Sequence, residues 1–214
     1  MGQVNTKERL LSSALDLIYA RSYGNVGVQD LCEHAGVKKG SFYHFFPSKR
    51  DLTLAALDRQ WEIAKQRVWD PAFANHLPFH KKLQRCFDLF YEHQCGVKKR
   101  TGRVQGCPFG NLALELSTQD EPIRRKVDHI FRECTTYVER MLHEAIAVGE
   151  IPKQDISATA KAVIAYMEGV MLMAKTRNEP NVIKDLRQGL LRFLQAESAV
   201  TGRLRAGNGA KKGV

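Results

Sequence analysis

The sequence predicts an all-α fold. Apolar residues recur at three- and four-residue spacing along nearly the whole chain, and no segment joins period-two alternation to hairpin turn signals over a useful length. Gly149, Pro152 and Pro180 punctuate the later periodic stretches, as helix ends require. At 214 residues the chain has room for one or two compact units, each with a sizeable core.

The first helix is predicted to open at Asn5, which has capping-box spacing to Glu8, and to bury Leu10, Leu11, Ala14, Leu17 and Ile18 along one face. Tyr23, Gly24 and Asn25 end it. A short helix over about 28–35, a turn at Gly36 and Val37, and a second short helix over about 38–45 give the layout of a helix-turn-helix. Pro47 breaks the chain, and Ser48 with Asp51 opens a longer helix through Leu52, Leu54, Ala55, Leu57 and Trp61, read as the connector to a second domain. Pro71 and Pro78 bracket a loop, after which Leu83, Phe87, Phe90 and Tyr91 repeat at helical spacing over 79–97. Lys98, Lys99, Arg100 and Arg103 then read as a basic loop leading to Gly106-Cys107-Pro108-Phe109-Gly110-Asn111. Helices over about 120–148, 155–177 and 180–199 complete the chain, and the last two alternate small and large apolar residues suited to close packing within a subunit or between subunits. Three parts follow: a helix-turn-helix domain over 1–50, a helical effector-binding and dimerisation domain over 51–200, and a basic, Gly-rich tail over 201–214 expected to be disordered.

Composition narrows the function classes. Lys and Arg outnumber Asp and Glu by 33 to 23, a formal charge of +10 that favours an anionic partner such as DNA or an acidic surface. The blander explanation is solubility, since part of the excess lies in the tail and one loop. No stretch reads as the roughly 20 apolar residues of a membrane span, and Lys7, Glu8 and Arg9 fall where a signal peptide needs its apolar run, so the expected compartment is the cytoplasm without membrane attachment. Cys32, Cys86, Cys95, Cys107 and Cys134 form an odd set with no C-x-x-C pair, against a disulfide framework or structural zinc; no metal or other cofactor is expected.

Within the helix-turn-helix, Leu31, Ala35, Val37 and Phe42 supply an inner face and Gly36 permits the tight turn. The outer face is polar, with Lys39, Ser41, Tyr43 and His44 near the start of the second short helix, where base edges and phosphates are met. The run Ala35-Gly36-Val37-Lys38-Lys39-Gly40-Ser41-Phe42-Tyr43-His44-Phe45-Phe46-Pro47-Ser48-Lys49 resembles the TetR family of repressors. That resemblance covers the first 60 or so residues closely and the remainder in architecture. It implies that Gln29, Lys39, Gly40, Ser41, Tyr43, His44 and Lys49 face double-stranded operator DNA, and that the protein acts as a homodimer on a palindrome and answers to a small-molecule effector. Many members carry Thr or Ser before the first short helix; here Gly27 stands there, a weaker cap.

Cys107 precedes Pro108, a residue favoured at the first position of a helix, which predicts its sulfur at an N-cap where the helix dipole and nearby cations favour a thiolate. The segment Gly-Cys-Pro-Phe-Gly-Asn-Leu resembles a motif of a TetR branch that includes repressors responding to reactive electrophiles and to small unsaturated acids. By that resemblance Cys107 is the sensing group and Lys175 its neighbour from a later helix. Phe109, Tyr91, Tyr137 and Tyr166 are the aromatic candidates for an effector cavity, with ordinary core packing as the alternative for each. Two rival readings stand beside a repressor: a thiol enzyme using Cys107, which lacks a local activating pattern, and a DNA-compacting protein relying on charge alone.

Overall fold

A computed structural model of the chain describes residues 5–74, 77–192 and 194, and every regular element among them is helical. Helix α1 spans Thr6–Arg21, α2 Val28–Ala35, α3 Lys39–Phe45 and α4 Lys49–Ala64. A π-helical turn, Lys65–Trp69, carries α4 into a single turn, α5, at Asp70–Ala72. Then come α6 (Phe79–Thr101), α7 (Pro108–Leu116), α8 (Glu121–Ala147) and α9 (Ile156–Arg177). Residues 181–192 form α10. The tail from Thr201, and the expected run of the last helix to Ala199, lie outside the described residues.

The packing falls into two units: the described residues up to Gln66 together with Gln105–Phe131, and Arg67–Val104 together with those from Arg132 onward. This is not the division expected after residue 50. Helix α4 stays with the helices before it because it buries Leu52, Ala56, Leu57 and Trp61 and packs along α1. Helix α7 joins the same unit, its Phe109 ring edge-on to Trp61 at 6.2 Å between centroids. A period-3.6 pattern shows that a helix has a buried face; it does not show which neighbour covers it.

In the first unit Leu10, Leu31, Phe42 and Leu52 have no exposed surface. Burying such side chains fully contributes about 1.5–3 kcal/mol each. Asn5 caps α1 by accepting from the Lys7 amide at 3.1 Å, as its position predicts, but Glu8 does not close a capping box. It pairs instead with Arg59 of α4, a charge-assisted contact that the α1–α4 packing makes available. Ser48 caps α4 as expected, accepting from the Asp51 amide at 3.2 Å and donating to Asp51 Oδ2 at 2.7 Å.

In the second unit α6 is longer than its apolar pattern suggests. Lys98, Lys99 and Arg100 form its last turn rather than a loop, where the partial negative charge of a helix C-terminus favours cations. Gly102, at φ 75°, ends the helix by donating to the Lys98 carbonyl at 2.8 Å. Helix α9 departs from the expectation that no stretch suits a membrane. By length and composition it is apolar enough to cross one, although 39% of its most apolar stretch is buried within the protein. Its many Ala, Val and Met residues outweigh Lys161, Glu168 and Lys175, a composition that core helices of soluble proteins share.

Candidate nucleic-acid interface

Helices α2 and α3 are held on α1 by their inner faces: Leu31, Cys32, Ala35 and Phe42 are buried, with Phe46 just beyond. Two polar contacts fix the turn between them. Ser13 Oγ donates to the Leu31 carbonyl at 2.9 Å in the interior, and Arg9 Nη2 donates to the Gly36 carbonyl at 2.9 Å. Gly36 adopts φ 60° and ψ 42°, the left-handed conformation that favours glycine, and a Cβ there would displace the Arg9 guanidinium, whose Nη2 it would meet at 2.5 Å.

The outer face is the one the sequence points to. Lys39, Gly40, Tyr43 and His44 are exposed and Ser41 is half-buried; Tyr43, at 52% exposure, is among the largest apolar surfaces presented to solvent. Its ring is set edge-on to buried Phe42 at 5.2 Å, and His44 lies edge-on to half-buried Phe45 at 4.8 Å, so each ring packs against a neighbouring aromatic side chain. A Cβ at Gly40 would meet nothing within 4 Å. Gln29 is exposed on α2 and donates to Glu33 Oε1 at 2.7 Å. Gly27 caps α2 without a side chain, and Asp30 compensates by accepting the Gly27 amide at 2.6 Å. Lys49, half-buried, is anchored from within. Its Nζ donates inward to the carbonyls of Tyr23 at 3.0 Å and Val26 at 2.9 Å, and lies 3.8 Å from the Tyr23 ring centroid. Desolvation there lowers its pKa, the nearby Glu115 carboxylate opposing the shift.

Helix α7 grips the α1–α2 loop within the same unit. The two carboxylate oxygens of Glu115 accept the amides of Tyr23 at 2.9 Å and Gly24 at 2.7 Å. Tyr19 Oη donates to the Gly106 carbonyl. Beyond α7, Asp120 accepts from Arg50 Nε at 2.6 Å and from the Ile123 amide at 3.1 Å. Sequence reading passed over Glu115 and Asp120 because they lie some 70 to 92 positions from their partners, with no local signal.

Among the effector candidates, Cys107 is the N-cap of α7, half-buried, its Sγ accepting the Gly110 amide at 3.4 Å. Phe109 is buried against Trp61. Lys175 lies exposed in the last turn of α9, in the other compact unit. Tyr137, Trp69, Phe73 and Phe90 form an aromatic cluster, with Tyr137 5.5 Å from Trp69 and 5.8 Å from Phe73 between centroids. A cavity of about 210 Å³ opens beside it, lined among others by Asp70, Lys82, Tyr137, Arg140 and Glu144. Tyr137 Oη donates to Asp70 Oδ1 at 2.5 Å, and burial together with that bond pushes its pKa up to about 12. Lys82 is buried and paired with Glu144. Tyr91 and Tyr166 do not line this cavity. Lys184 Nζ lies 3.7 Å over the Tyr91 ring, and Tyr166 Oη donates to the Leu186 carbonyl at 2.7 Å, tying α9 to α10. No metal-binding group of three or more His, Cys, Asp or Glu occurs among the described residues.

Comparison with known proteins adds the lineage. Residues 10–56 match the family described as bacterial regulatory proteins, tetR family, and residues 82–190 match the tetracyclin repressor-like C-terminal domain. The chain belongs to the TetR family. This TetR-family protein is 29% identical over 180 residues to an uncharacterized HTH-type transcriptional regulator of Lactococcus lactis subsp. lactis, covering 84% of this chain and 88% of the relative. The solved regulatory protein TetR from Rhodobacter sphaeroides has a TM-score of 0.76 at 28% identity, over 87% of this chain and 97% of that one. The HTH-type transcriptional repressor NemR of Escherichia coli is 27% identical over 128 residues, 58% of this chain and 60% of NemR. The protein is therefore a DNA-binding transcriptional regulator of repressor type, not an enzyme. Cys107 as a catalytic nucleophile is set aside on that ground.

Proposed function

We propose that this TetR-family regulator binds a palindromic operator as a homodimer, inserting α3 into successive major grooves, and releases it when a small molecule or thiol-reactive electrophile acts on the protein. The observation that carries this reading is the outer face of α3, where Lys39, Ser41, Tyr43 and His44 stand together above a buried Phe42. Lys39 suits guanine O6 and N7 or a phosphate, Ser41 and Tyr43 suit phosphate oxygens, and Gln29 on α2 suits the flanking backbone. Lys49 supports the interface from behind through the carbonyls of Tyr23 and Val26 rather than by touching DNA. Two copies would hold their recognition helices roughly 34–36 Å apart on the operator. A footprint at moderate salt is expected to show one short protected palindrome, and Tyr43→Ala to weaken its binding without loss of helicity. Protection without sequence preference, with a steep salt slope, would leave charge alone as the explanation.

The exposed side of α9 supports the homodimer. Ala165, Gly169, Leu172 and Met173 run along it at helical spacing, with Leu172 50% and Met173 39% exposed. A second copy presenting the same stripe across a twofold axis covers it without a new surface type.

For release, Cys107 is the first candidate. It is half-buried at a helix N-cap, whereas burial raises the pKa of Cys32, Cys86 and Cys134 and holds them as thiols. Electrophiles are expected to free wild-type protein from DNA and to leave Cys107→Ser bound. Release of the variant by the same compounds transfers the trigger elsewhere. A non-covalent reading is favoured by the cavity beside Tyr137: its charged lining suits a small polar ligand, and its 210 Å³ lies below the roughly 300–1,000 Å³ of drug-sized pockets. By linkage, any such ligand and the operator weaken each other's binding by the same factor.

A further inference from the structure

The loop between α1 and α2 is held from both sides by residues distant in sequence. On its amide side each oxygen of the Glu115 carboxylate takes one donor, Tyr23 at 2.9 Å and Gly24 at 2.7 Å, which fixes orientation as well as position. On its carbonyl side Lys49 Nζ donates to Tyr23 at 3.0 Å and Val26 at 2.9 Å. The next residue, Gly27, is the N-cap of α2, and Lys49 opens α4 just beyond α3. Entry to and exit from the helix-turn-helix therefore meet in one knot, and Glu115 closes it from α7. The helix is itself anchored at its start by Tyr19 on the Gly106 carbonyl and followed by the Arg50–Asp120 pair.

The loop meets the hydrophobic core only through Val26, which is buried at 1% exposure. Leu10, Leu31, Phe42 and Leu52 are fully buried, while Gly24 and Gly27 are at the surface. The Glu115 carboxylate adds no side chain to that core, so its contacts bear on the angle at which α2 and α3 are presented. Because base and phosphate contacts depend on position within fractions of an ångström, an anchored approach angle matters more to DNA affinity than to the stability of the unit.

We propose that Glu115 is a positioning residue for operator binding: by holding the Tyr23 and Gly24 amides from α7, it sets the presentation of α2 and α3 to DNA. The proposal rests on the reading of α3 as the DNA-contacting helix. In full-length protein, amide hydrogen exchange at Tyr23 and Gly24 is expected to be slow in the wild type despite their place in a surface loop. In Glu115→Ala it is expected to accelerate at least about tenfold. Affinity for the footprinted palindrome, measured well below the melting temperature, is expected to fall about tenfold in Glu115→Ala, equivalent to ~1.4 kcal/mol. Glu115→Gln, which keeps the shape and one acceptor oxygen, is expected to fall between the two, with thermal midpoint and helicity close to wild type in both variants. Fast exchange at both amides in the wild type overturns the proposal, as does wild-type affinity in both folded variants while Tyr43→Ala binds weakly. Affinity lost only in step with unfolding also overturns it, since Glu115 would then be merely structural. Wild-type affinity in Tyr43→Ala removes the α3 reading, and this proposal with it.

Discussion

Gly40 stands on an exposed helical turn where the free protein has no need of glycine. Its conformation is not left-handed, and an added Cβ would meet no atom within 4 Å. Glycine in a helix costs about 0.5–1 kcal/mol relative to alanine, less in a first turn, so the free fold gains nothing from it. Close approach of a DNA backbone supplies a reason. Gly40→Ala is accordingly expected to hold or slightly raise the thermal midpoint while weakening operator binding several-fold in a gel-shift titration. Equal binding would mean that α3 approaches DNA elsewhere along its length. Gly36 is the contrast: its positive φ favours glycine in the folded protein with or without DNA.

Between helices, single polar side chains set the connections. Asn178 ends α9 at φ 52° and ties down the turn after α6. Its Oδ1 accepts the Val104 amide at 2.8 Å, its Nδ2 donates to the Gly102 carbonyl at 3.3 Å, and its own carbonyl accepts Lys98 Nζ at 2.7 Å. Removing the side chain leaves the buried Val104 amide without this acceptor, a loss of about 1–3 kcal/mol. Asn178→Ala adds the strain of a left-handed residue with a Cβ, whereas Asn178→Gly keeps the conformation and loses only the bonds. Urea unfolding is expected to rank the proteins wild type, Gly, Ala in falling stability. The reverse order of the two variants would show that backbone flexibility in the unfolded chain outweighs left-handed strain here.

For the whole molecule, the proposed dimer is tested at α9. Gly169 is exposed, and a Cβ there meets nothing within 4 Å, so the subunit tolerates a side chain at this position. A second copy packed on Ala165, Gly169 and Leu172 does not. Gly169→Arg is expected to stay folded but to sediment as a monomer, and to lose most of its operator affinity, because two linked half-sites bind far more tightly than one. A dimer surviving this substitution places the interface on another face. The formal charge of +10 strengthens phosphate attraction for dimer and monomer alike, so these comparisons belong at fixed salt.

The all-helical fold, the helix-turn-helix and the residues of its outer face are legible in the order of amino acids alone. Each rests on local rules: the period of apolar residues, the caps at Asn5, Ser48 and Cys107, and the glycine demanded at Gly36. Local rules also account for its errors. The apolar pattern of α6 stops before Lys98, but the helix dipole carries it on to Thr101. Glu8 had the spacing of a capping box, and Arg59 took it instead. Which distant groups meet emerges only once the helices have packed. Lys49 turned inward to carbonyls, α7 joined the DNA-reading unit, and Glu115 closed the loop ahead of α2. Such contacts link residues up to 92 positions apart, and a carboxylate or ammonium carries no mark in sequence of the partner that will satisfy it. The apolar pattern decides which helices form, whereas the polar contacts that aim them exist only after those helices have packed.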